Sequence, residues 1–174
     1  PAVAETPWFD GGHTKARVLG VNYPGDSLFR EAAGDWAADQ GADLRLKFAA
    51  AMNRLSLKAD YQLQARFGDS LELPEQTQGL LLTTAAVPDD DRRWWDLTYS
   101  FDDGDRSAVV HRLDRLSVGF TTERAALRFG RQAVSWGNGM VFTPMDVFNP
   151  FDPAAVDTEY KSGDDMLYGQ YLLD

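Results

Sequence analysis

Hydrophobic and polar positions alternate along this chain over long stretches. Leu44, Leu46, Phe48 and Ala50 put apolar side chains on even positions, with Arg45 and Lys47 between them. After Met52-Asn53-Arg54 the register resumes on odd positions. Leu55, Leu57, Ala59, Tyr61, Leu63, Ala65 and Phe67 are interleaved there with Ser56, Lys58, Asp60, Gln62, Gln64 and Arg66. Period-two alternation of this kind predicts a strand. Soluble strands average about five or six residues, whereas a tilted membrane-spanning strand needs about nine to eleven. Alternation alone also suits an antiparallel sheet with one wet face. Two such long strands joined by a turn of about two or three residues point instead to the wall of an outer-membrane barrel.

Further along, Trp95, Leu97, Tyr99 and Phe101 share one face of another alternating segment, and Trp94 and Trp95 suit an interfacial aromatic girdle. A second hairpin is predicted over 108–121 and 125–133, turning at Thr122-Glu123-Arg124. Its alternation slips near Leu113 to Arg115, which predicts a β-bulge. Met166 to Leu173 reads as the start of one more strand.

Two regions depart from period two. Leu28, Phe29, Ala32, Ala33 and Trp36 recur at helical spacing behind Asp26 or Ser27 as N-cap, predicting a helix of about three turns. Residues 14–23 hold only an imperfect candidate strand. The expected division is therefore residues 1–41, an irregular segment with one short helix, and residues 42–174, strands of an antiparallel transmembrane β-barrel. The second departure is the apolar, proline-punctuated run from Trp136 to Pro153, with Met140, Phe142, Met145, Phe148 and Phe151. Loops are normally polar and run over the surface, so this one is expected to pack into the lumen or against the rim, within a connection spanning 136–165. Trp136, Asn138, Phe142, Asp146, Asn149 and Asp152 are its candidate constriction residues.

The motif GRQAVSWGNGMVFTPMDVFNPFDP (Gly130 to Pro153) resembles one recurring in Gram-negative outer-membrane barrel proteins of the porin-like and alginate-export-like kind. HRLDRLSVGF (His111 to Phe120), EYKSGDDMLYGQ (Glu159 to Gln170), GGHTKARV and YPGDSLFR look similar too. The resemblance implies an outer-membrane location, a passive channel or export role, and coverage of only the N-terminal part of such a barrel. It implies no catalytic residues.

Composition narrows the chemistry. The 174 residues carry a formal charge of -10 and are 44% hydrophobic. An acidic balance without a clustered basic face argues against a nucleic-acid partner. The absence of cysteine excludes disulfides and thiolate chemistry. No apolar run of about 18 residues predicts a transmembrane helix. PAVAETPW lacks the regions of a signal peptide and reads as a mature or trimmed N-terminus. His13 and His111 lack a second ligand at metal-binding spacing, and the acidic turn at Asp102 to Asp105 lacks the spacing of an EF-hand loop. No cofactor and no enzymatic activity are expected.

The polar row of the strands is the candidate pore lining: Arg45, Lys47, Lys58, Asp60, Gln62, Gln64, Arg66, Arg112, Asp114, Arg115, Arg128 and Gln132. Rings of Arg or Lys favour anions in pores, so the expected function is passage or export of small, anionic solutes across a lipid-embedded wall. A salt-bridge lattice that rigidifies the wall is the competing use of the same residues. Alternative functions are a soluble or periplasmic β-rich binding module and a plugged barrel serving envelope assembly with protein partners. Five or six candidate strands fall short of the eight needed by the smallest single-chain barrels, so the chain is expected to be a fragment of a longer protein.

Overall fold

A computed structural model describes residues 8–27, 30, 34–72, 88–91, 93–133 and 162–173. It is an all-β, antiparallel sheet of seven strands: β1 (Phe9–Asn22), β2 (Trp36–Met52), β3 (Leu55–Gly68), β4 (Thr98–Gly104), β5 (Ser107–Thr121), β6 (Ala125–Gln132) and β7 (Asp164–Tyr171). The order is β1-β2-β3-β5-β6-β7. β4 pairs the upper part of the β5 edge from Thr98↔Arg112 to Gly104↔Ser107, and β6 pairs the lower part of that edge from Leu116↔Arg131 to Thr121↔Ala126. Among the described residues β1 pairs only with β2, and β7 only with β6, so the sheet is not closed.

The long hairpin read from residues 44–67 is present, with β2 and β3 paired from Met52↔Leu55 to Asp39↔Gly68. The expected irregular segment is different. β1 is a strand of 14 residues paired with β2 along nearly its whole length, so no boundary falls at residue 41. Its glycines disguised it: they occupy the face where apolar side chains would have signalled a strand. A Cβ on Gly12 would collide with the Arg45 carbonyl, and one on Gly20 would lie 2.6 Å from the Trp36 ring. Trp36 therefore covers Gly20 as the first residue of β2, and the expected helix does not extend to it. Before it, the Ser27 amide bonds the Pro24 carbonyl, and the Gly34 amide bonds the Arg30 carbonyl. Leu28, Phe29, Ala32 and Ala33, the other residues of the expected helix, lie outside the described residues.

The bulge lies where the alternation slipped. Asp60 faces Arg115 and Tyr61 faces Leu113, leaving Asp114 as the extra residue of β5. The strand predicted from Trp94 begins only at Thr98, and the hairpin turn after it is Asp105-Arg106 rather than the expected Asp102 to Asp105.

Connections differ between the two ends of the sheet. Residues 53–54 and 122–124 make the turns at one end, whereas 23–35, 69–97 and 133–163 join strands at the other, where the two-residue turn 105–106 also lies. Burial is the reverse of that in a water-soluble sheet. The polar row is buried, with Arg45 and Arg112 each 4% exposed, while Val118, Leu127 and Leu167 are 51%, 50% and 63% exposed on the opposite face. Tyr23, Ala37, Ala108 and Val110 are the buried hydrophobic residues among those described.

Gly130 has φ +126°, and a Cβ there would strike the Leu116 carbonyl. Gly130→Ala is expected to destabilise the sheet by about 1–3 kcal/mol. Gly169→Ala, whose new Cβ would meet only Leu127 Cδ1 at 3.7 Å, should be nearly neutral. Denaturant unfolding of the protein refolded in detergent measures both.

Candidate functional site

Two charged networks occupy the buried face. The first is made possible by the bulge. An extra residue in one strand lets two neighbours share a face, and both Asp114 and Arg115 join the polar row. Arg45 Nη1 donates to Asp114 Oδ2 at 2.7 Å, reaching from β2 to β5 across β3. Arg112 Nη2 lies 3.3 Å from Asp114 Oδ1, and Arg115 Nε lies 3.6 Å from Asp60 Oδ2. Arg45 is 3.9 Å from the same Asp60 oxygen. Toward the long-connection end, Asp43 gathers His13 Nε2 at 3.2 Å, Gln62 Nε2 at 2.5 Å and Gln64 Nε2 at 3.1 Å.

The second network centres on Arg131. By alternation it belongs to the apolar row of Leu127 and Phe129. The positive φ of Gly130 breaks that alternation, and Gly130, Arg131 and Gln132 are all buried. Arg131 Nη1 donates to both Asp90 oxygens, at 2.9 and 3.0 Å, and Nε to Asp165 Oδ1 at 2.9 Å. Nη2 donates to the Trp95 carbonyl and to Asp165 Oδ2. The clasp thus fastens Asp90 and Trp95 to the start of β7, with Trp95 edge-on to Phe129 at 5.3 Å. Arg93 reinforces it through Asp90 at 3.1 Å and the Gly163 carbonyl at 3.0 Å. Burial alone would raise the Asp90 carboxyl, but hydrogen bonds from Arg131 and from the Leu97 amide outweigh it and hold the group below the usual carboxylate range.

The predicted lining residues therefore divide. Arg45, Asp60, Gln62, Arg112 and Asp114 are brought together and buried. Gln64 joins the Asp43 group, and Arg66 is buried between Gly41 and Ala108. Lys47 sits opposite Asp60 and is half-buried, as is Arg115. Lys58 and Arg128 are exposed toward the short-turn end, opposite Ser117 and Gly119 respectively. Gln132 donates to the Met166 carbonyl at 3.2 Å. Trp136, Asn138, Phe142, Asp146, Asn149 and Asp152 lie outside the described residues.

Sequence reasoning missed Asp43, Asp90, Arg131 and Asp165. A glycine inside a strand pattern often marks a bulge or close backbone approach, so Gly130 was the signal for Arg131. Asp43 shares the odd parity of Arg45 and Lys47, but Gly41 and Ala42 obscured it. Among the described residues no group of three or more His, Asp or Glu side chains is gathered to hold a metal.

Arg131→Met should cost about 3–5 kcal/mol, because it strands two buried carboxylates. Unfolding monitored by tryptophan fluorescence would measure it. Asp90 gives a pH signature. Its carboxyl is held below its unfolded value, so its stabilisation is complete above about pH 4. That stabilisation is lost as pH falls through the lowered folded-state value. Acid titration should therefore release Trp95 in the native protein. A fluorescence profile unchanged by Asp90→Asn would contradict this assignment. No family model, no curated protein and no solved structure matches the chain.

Proposed function

We propose that this chain forms part of the wall of an outer-membrane β-barrel channel that passes small anionic solutes. The observation that carries the reading is the inversion of burial: a buried charged row backs onto an exposed apolar one that includes Leu57, Val118, Phe120, Leu127, Phe129 and Leu167. In water such an arrangement leaves the apolar face unfavourably hydrated. In a bilayer that face meets hydrocarbon, and the backbone groups are satisfied within the sheet. Strands of 14 to 17 residues in β1, β2, β3 and β5 are long enough to cross with tilt and project beyond the membrane. All three long connections lie at one end and the other has only short turns, which matches the loop and turn ends of such barrels. Further strands at the β1 and β7 edges, from the same polypeptide or from other copies, complete the wall.

The anion preference is supported by which charges face solvent. Asp60 and Asp114 are buried, whereas Lys58 and Arg128 are exposed and Arg115 is half-buried. A solute near the short-turn end of this face meets cations. A plugged, structural barrel is favoured by a different observation, the 5% and 1% side-chain exposure of the Arg45–Asp114 pair. That pair, covered and mutually satisfied, braces the wall and does not line open water.

The full-length protein should enter the membrane fraction and need detergent for extraction. Recovery as a stable monomer in buffer would replace this reading with that of a soluble binding module. In planar bilayers the channel should prefer chloride to potassium, and Lys58→Glu with Arg128→Glu should move the zero-current potential toward cation preference. A folded barrel without conductance would identify the plugged form.

A further inference from the structure

One edge of a buried guanidinium is left without a hydrogen-bond acceptor by the packing around it. Arg112, 4% exposed, has two donors, Nε and Nη2, with no hydrogen-bond acceptor. The reason lies in Asp114. Its Oδ2 accepts from Arg45 at 2.7 Å, and its Oδ1 takes the Gly163 amide at 3.4 Å. Arg112 Nη2 reaches Oδ1 at 3.3 Å without the alignment of a hydrogen bond. Nε and Nη2 lie on one edge of the planar guanidinium and form a two-pronged fork. That fork matches the two oxygens of a carboxylate or phosphate. A buried donor with no acceptor costs free energy, and a charged one costs more. Arg93 and Arg131 also lie near enough to act electrostatically on Arg112, along with Asp90. With Asp114 counted, two cations stand against two carboxylates there, so an oxyanion would be held by the fork's own charge and donors.

We propose that the Nε/Nη2 edge of Arg112 is an oxyanion-binding fork that takes the carboxylate or phosphate group of a small solute. The inference rests on reading this face as lumenal, and it assigns the solute a chemical class. Exposed Lys58 and Arg128 attract the anion from the short-turn end, and half-buried Arg115 lies between that end and Arg112 along the same strand. A carboxylate or phosphate places a separate oxygen on each donor, which a single chloride cannot do, so the fork favours oxyanions by geometry as well as by charge. Asp114 repels the ligand less than an isolated carboxylate would, because Arg45 already neutralises it.

The test is calorimetric titration of the folded, full-length protein in detergent with inorganic phosphate and, separately, with acetate. Saturable binding is expected. Arg112→Lys keeps the charge but loses the fork, and should weaken binding roughly 10- to 100-fold. The stronger of the two titrants distinguishes a phosphorylated solute from a carboxylic acid. Absence of binding to the wild-type protein, or equal affinity in Arg112→Lys, would overturn the proposal. If that variant does not fold, wild-type crystals soaked in selenate decide: an anomalous peak within hydrogen-bond distance of both Arg112 donors supports the site, and its absence refutes it. Because binding is read without conductance, the two readings fail separately. Binding without current removes the channel and keeps the fork, whereas current without binding does the reverse.

Discussion

The contact between Arg45 and Asp114 spans three strands, and the inner face is organised around it. It exists because β5 carries one residue more than β3 at that level. Without the insertion, Arg115 would share the face of Leu113, and Asp60 would lose one of its cations. With it, Asp60 and Asp114 stand among Arg45, Arg112 and Arg115, and Asp114 also reaches the Gly163 amide just before β7. A buried ion pair adds little net stability over a well-packed apolar substitute, yet breaking one is costly. Such a network therefore acts chiefly as a register lock. A slip of one residue would turn every charge outward and every apolar side chain inward.

That lock explains how a sheet with so few buried hydrophobic residues holds one arrangement. Its inner face is tied by directed bonds between named partners, while its outer face has only the non-directional demand for an apolar surrounding. The Arg131 clasp extends the same logic to irregular chain. Five hydrogen bonds of one guanidinium meet two carboxylates and a carbonyl, so Asp90 and Trp95 are fastened to β6 and β7 although they belong to no strand. Glycine supplies the geometry in both places: Gly130 turns Arg131, and Gly163 passes close to the Asp114 carbonyl.

Much of the sheet was legible in the residues because period two is a direct projection of the pleat. β2, β3, β5 and β6 could be read from Leu44 to Phe67 and from Ala108 to Ala133, and the bulge from the slip at Leu113 to Arg115. β1 was not legible, since close backbone approach required glycine where an apolar side chain would have marked the face. Trp36 matched the helical spacing that begins at Leu28, yet it opens β2, because its ring covers Gly20. Pairing across the inner face followed parity wherever parity held, which is why Arg45, Asp60, Gln62, Arg112 and Asp114 were found together. It failed at Arg131, where one positive φ overrode the pattern, and for Asp90, whose place depends on contacts about 40 residues away in sequence.

The strand order also bears on assembly. Every pairing except that of β3 with β5 joins strands consecutive in sequence. A meander of this kind can grow by adding each new hairpin to an open edge, which keeps its contacts local and its formation fast relative to sheets with distant partners. The exception requires closing the chain from Gly68 to Ser107 before β5 can dock. Loop-closure entropy rises only slowly with length, so that insertion is tolerated in the finished sheet. The delay falls in the time course of assembly, where docking of β5 is the step on which β6 and β7 must wait.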